Sequence, residues 1–291
     1  QDYFVSQLDI PLSQGSIANF IQQAASRLET TGYLKTARQA LSGSDVLHAD
    51  ETGVNVAGDR QWLHCAGNDK WTYFTVHKKR GFEAMEAADI LPHFNGILCH
   101  DHWKTYFRFH CLHALCNAHH LRELTRAFEQ DRQQWAGRMH ALLRLINRAT
   151  HQADGVLNDK EQQKYLRYYH RILGAGEREC PPPTPPEKDK PGRLKRSKAR
   201  NLLERLGDYQ DDVLRFMRDI RAPFTNNQGE RDIRMTKVHQ KISGCFRSVE
   251  GADSFCAIRG YLSTCSKQHI PASEALRLLF NNKLPKFFPD G

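Results

Sequence analysis

From Ser13 to about Ala40, apolar residues recur at helical spacing: Ile17, Phe20, Ile21, Ala24 and Leu28 follow Ser16, which suits an N-cap. Gly32 and Gly43 punctuate that stretch. Three short runs of strand composition come next, Asp45 to Ala49, Gln61 to Ala66 and Trp71 to His77, separated by turns rich in Gly, Asn and Asp, and they predict a three-stranded meander. Glu83 to Ile90 predicts a short helix stopped ahead of Pro92, Gly96 to His100 a fourth strand and His113 to Asn117 a fifth. Helical spacing then takes over in Ala118 to Glu129, Gln134 to Ala153 and Lys160 to Leu173. Leu202, Leu203, Leu206, Tyr209, Val213, Phe216, Met217 and Ile220 form one amphipathic face running up to Pro223. Asn226 to His239, Ala252 to Lys267 and Ser273 to Phe280 complete the helices. Strands then give way to helices, so the fold is expected to contain both.

Composition changes this picture in one place. Between Cys180 and Lys198 lie six of the twelve Pro residues, followed by Arg193, Lys195, Arg196, Lys198 and Arg200, so a polyproline-like linker leading into a basic segment is expected. Forty-two Lys and Arg against thirty-three Asp and Glu give a net charge of +9, which favours a polyanionic partner. The excess is uneven: residues 187–205 carry eight cations and three anions, and residues 221–247 six and two. No stretch approaches the roughly 18 apolar residues of a membrane span. Eight Cys without regular spacing read as reduced thiols.

Three carboxylates stand out. Asp50 follows the run Val46-Leu47-His48-Ala49, and Asp101 follows Gly96-Ile97-Leu98-Cys99-His100, so each is expected at a strand end. Neighbouring strands would make the two converge. Glu230 lies in the first turn of a helix begun at Asn226 or Asn227, where either a macrodipole effect or a metal accounts for it. Arg234, Lys237 and Lys241 follow it four, seven and eleven positions on, forming a basic stripe on the same helix face. Three such carboxylates make an oxygen-rich site that suits Mg²⁺.

These residues resemble a known family. His48-Ala49-Asp50-Glu51-Thr52, Arg80-Gly81-Phe82-Glu83-Ala84, Leu91-Pro92, His100-Asp101, Leu115-Cys116-Asn117-Ala118-His119-His120-Leu121-Arg122-Glu123-Leu124, Asn226-Asn227 through Glu230-Arg231, Lys241-Ile242-Ser243-Gly244-Cys245-Phe246-Arg247 and Leu262-Ser263-Thr264 look like the transposase of the bacterial insertion-sequence family sixty-six. The resemblance covers about residues 1–280. It implies a ribonuclease-H-like mixed sheet flanked by helices, with a helical insertion between the second and third catalytic carboxylates of a DDE site, here Asp50, Asp101 and Glu230. Two Mg²⁺ or Mn²⁺ ions, roughly 3.5–4 Å apart, would serve DNA strand cleavage and then strand transfer. Arg231, Arg234, Lys237, Lys241 and Arg247 are expected to grip phosphates. His119, His120 and Asn227 are expected beside the acidic site. The implied partners are transposon-end and target DNA, further copies of the chain in a synaptic complex and accessory proteins of the same element, in a bacterial cytoplasm at the nucleoid and without a membrane.

The expected division is 1–44, an N-terminal helical remnant of the DNA-recognition region; 45–132 and 222–267, the two parts of the core; 133–221, the insertion with its linker at 180–198; and 268–291, a C-terminal helix and tail. Leu12 to Phe20 resembles the end of a DNA-reading part, so an N-terminally truncated catalytic half is expected. His102 stands where the family resemblance leads one to expect a small residue. Seven of fifteen His lie between His93 and His120, among Cys99, Cys111 and Cys116, and Cys116 with His119, joined by His113 or Cys111, is a zinc alternative. Three readings therefore compete: a DDE transposase core, an inactive DNA-binding or regulatory remnant of one, and a zinc-dependent nuclease.

Overall fold

The computed structural model describes residues 10–183 and 196–288, so most of the Pro-rich basic stretch lies outside the described residues. In chain order the elements are α1 (Gln14–Thr30), α2 (Tyr33–Ser42), β1 (Val46–Val56), β2 (Asp59–Gly67), β3 (Thr72–His77), α3 (Phe82–Ala87), β4 (Ile97–His100), β5 (Leu112–Leu115), α4 (Asn117–Glu129), α5 (Gln134–Gln152), α6 (Asp159–Glu179), α7 (Lys198–Asp208), α8 (Gln210–Val213), α9 (Asn227–Ser243), α10 (Val249–Lys267) and α11 (Ala272–Phe280). The fold is mixed α/β, with three antiparallel strands, two parallel strands and flanking helices. The chain divides into two compact units. One comprises the residues up to Gly96, Lys104–Cys111 and the chain from Asn227 onward; the other comprises Ile97–Trp103 and Leu112–Asn226.

In the first unit β1, β2 and β3 form the expected meander, but β1 is more than twice as long as its apolar run suggests. It pairs with β2 from His48↔Gly67 to Val56↔Asp59. Ala57 (φ 53°) and Gly58 (φ 93°) close the hairpin with two left-handed residues, the geometry of a two-residue type I′ turn. Asp50 therefore lies inside a strand, not at its end. Alternation continues through Val54 and Val56, disguised in the sequence by Gly53 and Asn55, residues normally depleted from strands.

The alternation sorts β1 into two faces. Val54, Val56, Leu63, Cys65 and Phe74 pack with Ile233 of α9, Phe246, and Ala252 and Cys256 of α10. Ala49, His64, Ala66 and Tyr73 meet Met85, Ile90, Leu91 and Tyr106 around a cavity of about 30 Å³. A second core joins Leu28, Tyr33, Tyr261, Leu279 and Phe288.

The N-terminal helix differs from expectation in two ways. Ser13, not Ser16, is its cap, accepting the Ser16 N–H at 3.0 Å. The helix also breaks at Gly32, whose φ of 74° ends α1 and starts α2. Only Ala24 and Leu28 of α1 are buried, while Phe20 and Ile21 stay exposed.

In the second unit β4 and β5 run parallel, from Ile97↔Leu112 to His100↔Leu115. All four residues of β4 are buried, as in strands covered on both faces. Trp135, Met139, Leu143 and Ile146 of α5 are fully buried, and Tyr169 of α6 donates to the Leu206 carbonyl of α7 at 2.8 Å. Arg200 opens α7 with hydrogen bonds to Glu177, Glu204 and the Cys180 carbonyl, fastening it to the end of α6. The single helix expected up to Pro223 is instead α7, α8 and a 3₁₀ turn at Arg215–Met217. Tertiary hydrogen bonds override the periodicity there: the Arg215 guanidinium donates to the His113 carbonyl at 2.5 Å and to Asp212 at 2.8 Å.

Gly176 of α6 has no room for a side chain. A Cβ there would lie 2.6 Å from Leu203 Cδ1 and 3.1 Å from Trp135 Cγ. Gly176→Ala is expected to cost about 1–3 kcal/mol by overpacking, read as a lower urea midpoint at unchanged slope. Among the described residues no helix is long and apolar enough to cross a membrane.

Candidate active site

Asp50 shares a face of β1 with Val54, Val56 and its cross-strand partner Cys65, the face covered by Ile233 of α9. Its Oδ1 accepts the Glu51 N–H at 2.9 Å. Glu51 alternates to the opposite face, where its carboxylate accepts from Arg80 Nη2 at 2.6 Å, from Arg80 Nε at 3.1 Å and from the Tyr106 hydroxyl at 2.6 Å. The two adjacent acids thus have different environments because the strand period is two.

On α9 Glu230 lies in the first turn, three residues before Ile233. Gln240 of α9 donates to the Gly53 carbonyl at 2.6 Å, and Phe246 N–H, just beyond the helix, donates to the Asn55 carbonyl at 2.9 Å, tying the C-terminal end of α9 to β1.

Asp232, two residues on, is used differently. It is buried and paired with Lys267 of α10 at 2.7 Å, and it accepts from Gln228 at 2.9 Å. Lys267 also donates to the carbonyls of Asn68 (2.8 Å) and Trp71 (3.2 Å), joining α9 and α10 to the β2–β3 turn. Neither Lys267 nor the Glu51–Arg80–Tyr106 cluster is marked by local pattern; only folding brings these residues together.

Asp101 belongs to the second unit, directly after β4, where its Oδ1 accepts the Trp103 N–H at 3.1 Å. His102 between them has φ 75°, a left-handed conformation that glycine adopts without strain, which is the physical reason a small residue is expected there. The His102 ring sits edge-on to Tyr209 at 4.4 Å, and its N–H donates to His100 Nδ1 at 3.2 Å. His100 Nε2 therefore carries the proton in the hydrogen-bond network and donates to His113 Nδ1 at 3.1 Å. Burial, with His113 and His102 nearby, holds His100 well below the usual imidazole range, so it is neutral.

His120 is buried and neutral as well, its Nδ1 donating to Asn117 Oδ1 at 3.1 Å while the Asn117 amide donates to the Val213 carbonyl. His119 is half-buried in the first turn of α4, and Asn227 is exposed at the start of α9. Cys116 accepts the Asn226 N–H at 3.1 Å. Of the residues named for the zinc alternative, His113 is bonded to His100.

On the far face of β2 His64 lines the small cavity, and its Nε2 is buried without a hydrogen-bond partner among the described residues. Burial, partly offset by a hydrogen bond with the Lys79 main chain, lowers its pKa to about 4 from 6.5. The unfolded chain takes up this proton near 6.5 and the folded one only near 4. Its contribution is therefore complete above pH 6.5 and declines as pH falls towards 4, by about 3 kcal/mol in all. His64→Gln is expected to flatten the fall of Tm across that window.

Two sets of cations contrast. In the second unit Arg200, Arg205, Arg215, Arg218 and Arg221 are held in ion pairs. Arg231, Arg234, Lys237, Lys241 and Arg247 are exposed in the first unit, and none has an ion-pair partner among the described residues. The family model described as Transposase IS66 family matches residues 1–254. The chain belongs to the IS66 transposase family. No curated protein matches it. Membership of a transposase family implies DNA as partner, and the unpaired cations of this IS66-family chain are chemically suited to phosphates.

Proposed function

We propose that this IS66-family chain is a DDE transposase core of ribonuclease-H-like fold, in which Asp50, Asp101 and Glu230 hold a pair of Mg²⁺ or Mn²⁺ ions. The observation that carries the reading is the division of labour among adjacent acids. Glu51 and Asp232 are held by Arg80 and Lys267, Asp50 lies on the face of β1 that Ile233 of α9 covers, and Glu230 is in the first turn of α9. An antiparallel meander followed by a parallel strand pair agrees with the proposed fold. The donors are all carboxylate oxygens, the chemistry that suits a hard divalent cation. When bound, such a pair supplies Lewis acidity for in-line displacement at a phosphodiester, by water in cleavage and by a 3′-hydroxyl in strand transfer.

The residues of the chain do the rest. Main-chain N–H groups of Glu51 and Trp103 orient Asp50 and Asp101 through one oxygen each. Arg231, Arg234, Lys237, Lys241 and Arg247 hold the DNA backbone, making binding strongly salt-dependent.

The test is a gel assay with labelled DNA and Mg²⁺ or Mn²⁺ on the wild type and Asp50→Asn. Metal-dependent cleavage by the wild type alone supports the proposal. Equal cleavage by both proteins sinks the carboxylate assignment, and cleavage stopped only by zinc chelation points to the His and Cys cluster. DNA binding with no cleavage by either identifies a regulatory remnant.

A further inference from the structure

Helix α9 presents three faces. Ile233 and Thr236 are fully buried, and Gln240 on the same side bonds to Gly53, fixing the face that meets the sheet. Glu230, Arg234, Lys237 and Lys241 form the second. The third is apolar and turned to solvent: Met235, Val238 and Ile242, at spacings of three and four, are 42%, 38% and 80% exposed. A line of large apolar side chains left in water is unfavourable and marks a surface that something covers.

Charge narrows what that can be. No acidic residue lies between Asp232 and Glu250, and Asp232 is itself neutralised by Lys267. Arg234, Lys237, Lys241 and Arg247 have no ion-pair partner among the described residues. A second copy docked on this face would bring two cationic lines together, which Coulomb repulsion opposes. The fitting occupant has dense negative charge beside flat apolar faces, and that is nucleic acid. In an intact duplex, however, the faces of the bases are stacked against one another. Aliphatic side chains gain burial there only by entering a base step and unstacking it.

We propose that Met235, Val238 and Ile242 form a wedge that opens the base stack of the DNA whose phosphates the neighbouring basic line holds. The proposal rests on the reading of the chain as a DNA-processing transposase. It adds a distorting function to the helix that carries Glu230. Helix and wedge would then deliver an unstacked, more accessible strand beside the proposed carboxylates.

The test uses the full chain with a duplex substituted by 2-aminopurine at several positions, whose fluorescence rises on unstacking. Binding of the wild type is expected to raise fluorescence several-fold. Met235→Ser and Ile242→Ser, both at exposed positions, are expected to lose most of that rise while Kd weakens by less than about tenfold and its salt slope is unchanged. Lys237→Gln with Lys241→Gln should instead lower the salt slope by about two. DNA binding without a fluorescence rise, or a rise that survives both serine variants, overturns the wedge and leaves the transposase reading standing. Absence of any DNA binding overturns the reading beneath it. Dimerisation in sedimentation that Ile242→Ser abolishes would also overturn the wedge, making the face a self-association surface.

Discussion

Glu230→Gln is expected to lower metal-dependent strand cleavage roughly a thousandfold or more, since loss of one ligand of a metal pair removes several kcal/mol of transition-state stabilisation. The loss of cleavage should exceed anything a change in its thermal unfolding explains. Asp232→Asn, two residues further along the same helix, is expected to do the reverse. It leaves the Lys267 ammonium, whose side chain is only 12% exposed, with carbonyls but no counter-charge, at a cost of about 3 kcal/mol. Cleavage per folded molecule should survive. Denaturation midpoints and single-turnover rates measured on both variants check the pair. Equal loss of activity with unchanged stability in Asp232→Asn would show that the wrong acid of Glu230-Arg231-Asp232 has been assigned to the metal.

Arg80→Ala is expected to lower stability by about 2–3 kcal/mol, because the Glu51 side chain is 2% exposed and would lose the guanidinium that neutralises its buried charge, while keeping the Tyr106 hydroxyl. The estimate sits below that for a fully buried pair because the Arg80 side chain is 39% exposed and its own rehydration offsets part of the loss. Adding Glu51→Gln to Arg80→Ala should recover part of it by removing the stranded charge. A urea-denaturation double-mutant cycle reads the coupling directly. Since Glu51 adjoins Asp50 on β1, cleavage should fall in Arg80→Ala and return in part with the double substitution.

Much of this was legible in the sequence because the signals were local. The three strands of the meander, the buried apolar run of β4 and the long helices α5 and α10 follow from spacing alone. Asp50, Asp101 and Glu230 stand out by position and by resemblance, and their proposed metal-binding role rests on those two grounds. What stayed hidden depends on contacts distant in the chain. Gly53 and Asn55 conceal that β1 continues to Val56, since only pairing with β2 keeps them extended. The break-up of the helix after Tyr209 requires Arg215 to find the His113 carbonyl. Glu51 and Asp232 look as suitable for a metal as their neighbours until Arg80 and Lys267 arrive from 29 and 35 residues away. The apolar line on α9 shows only in the exposure of Met235, Val238 and Ile242.

A crystal structure of the chain with Mn²⁺ and DNA, phased to show the metal by its anomalous signal, tests the central claim most directly. The account predicts metal density contacted by carboxylate oxygens of Asp50, Asp101 and Glu230, with Asp232 still on Lys267. Carboxyl groups more than about 10 Å apart around an ordered site, too far to share a metal pair, would contradict it.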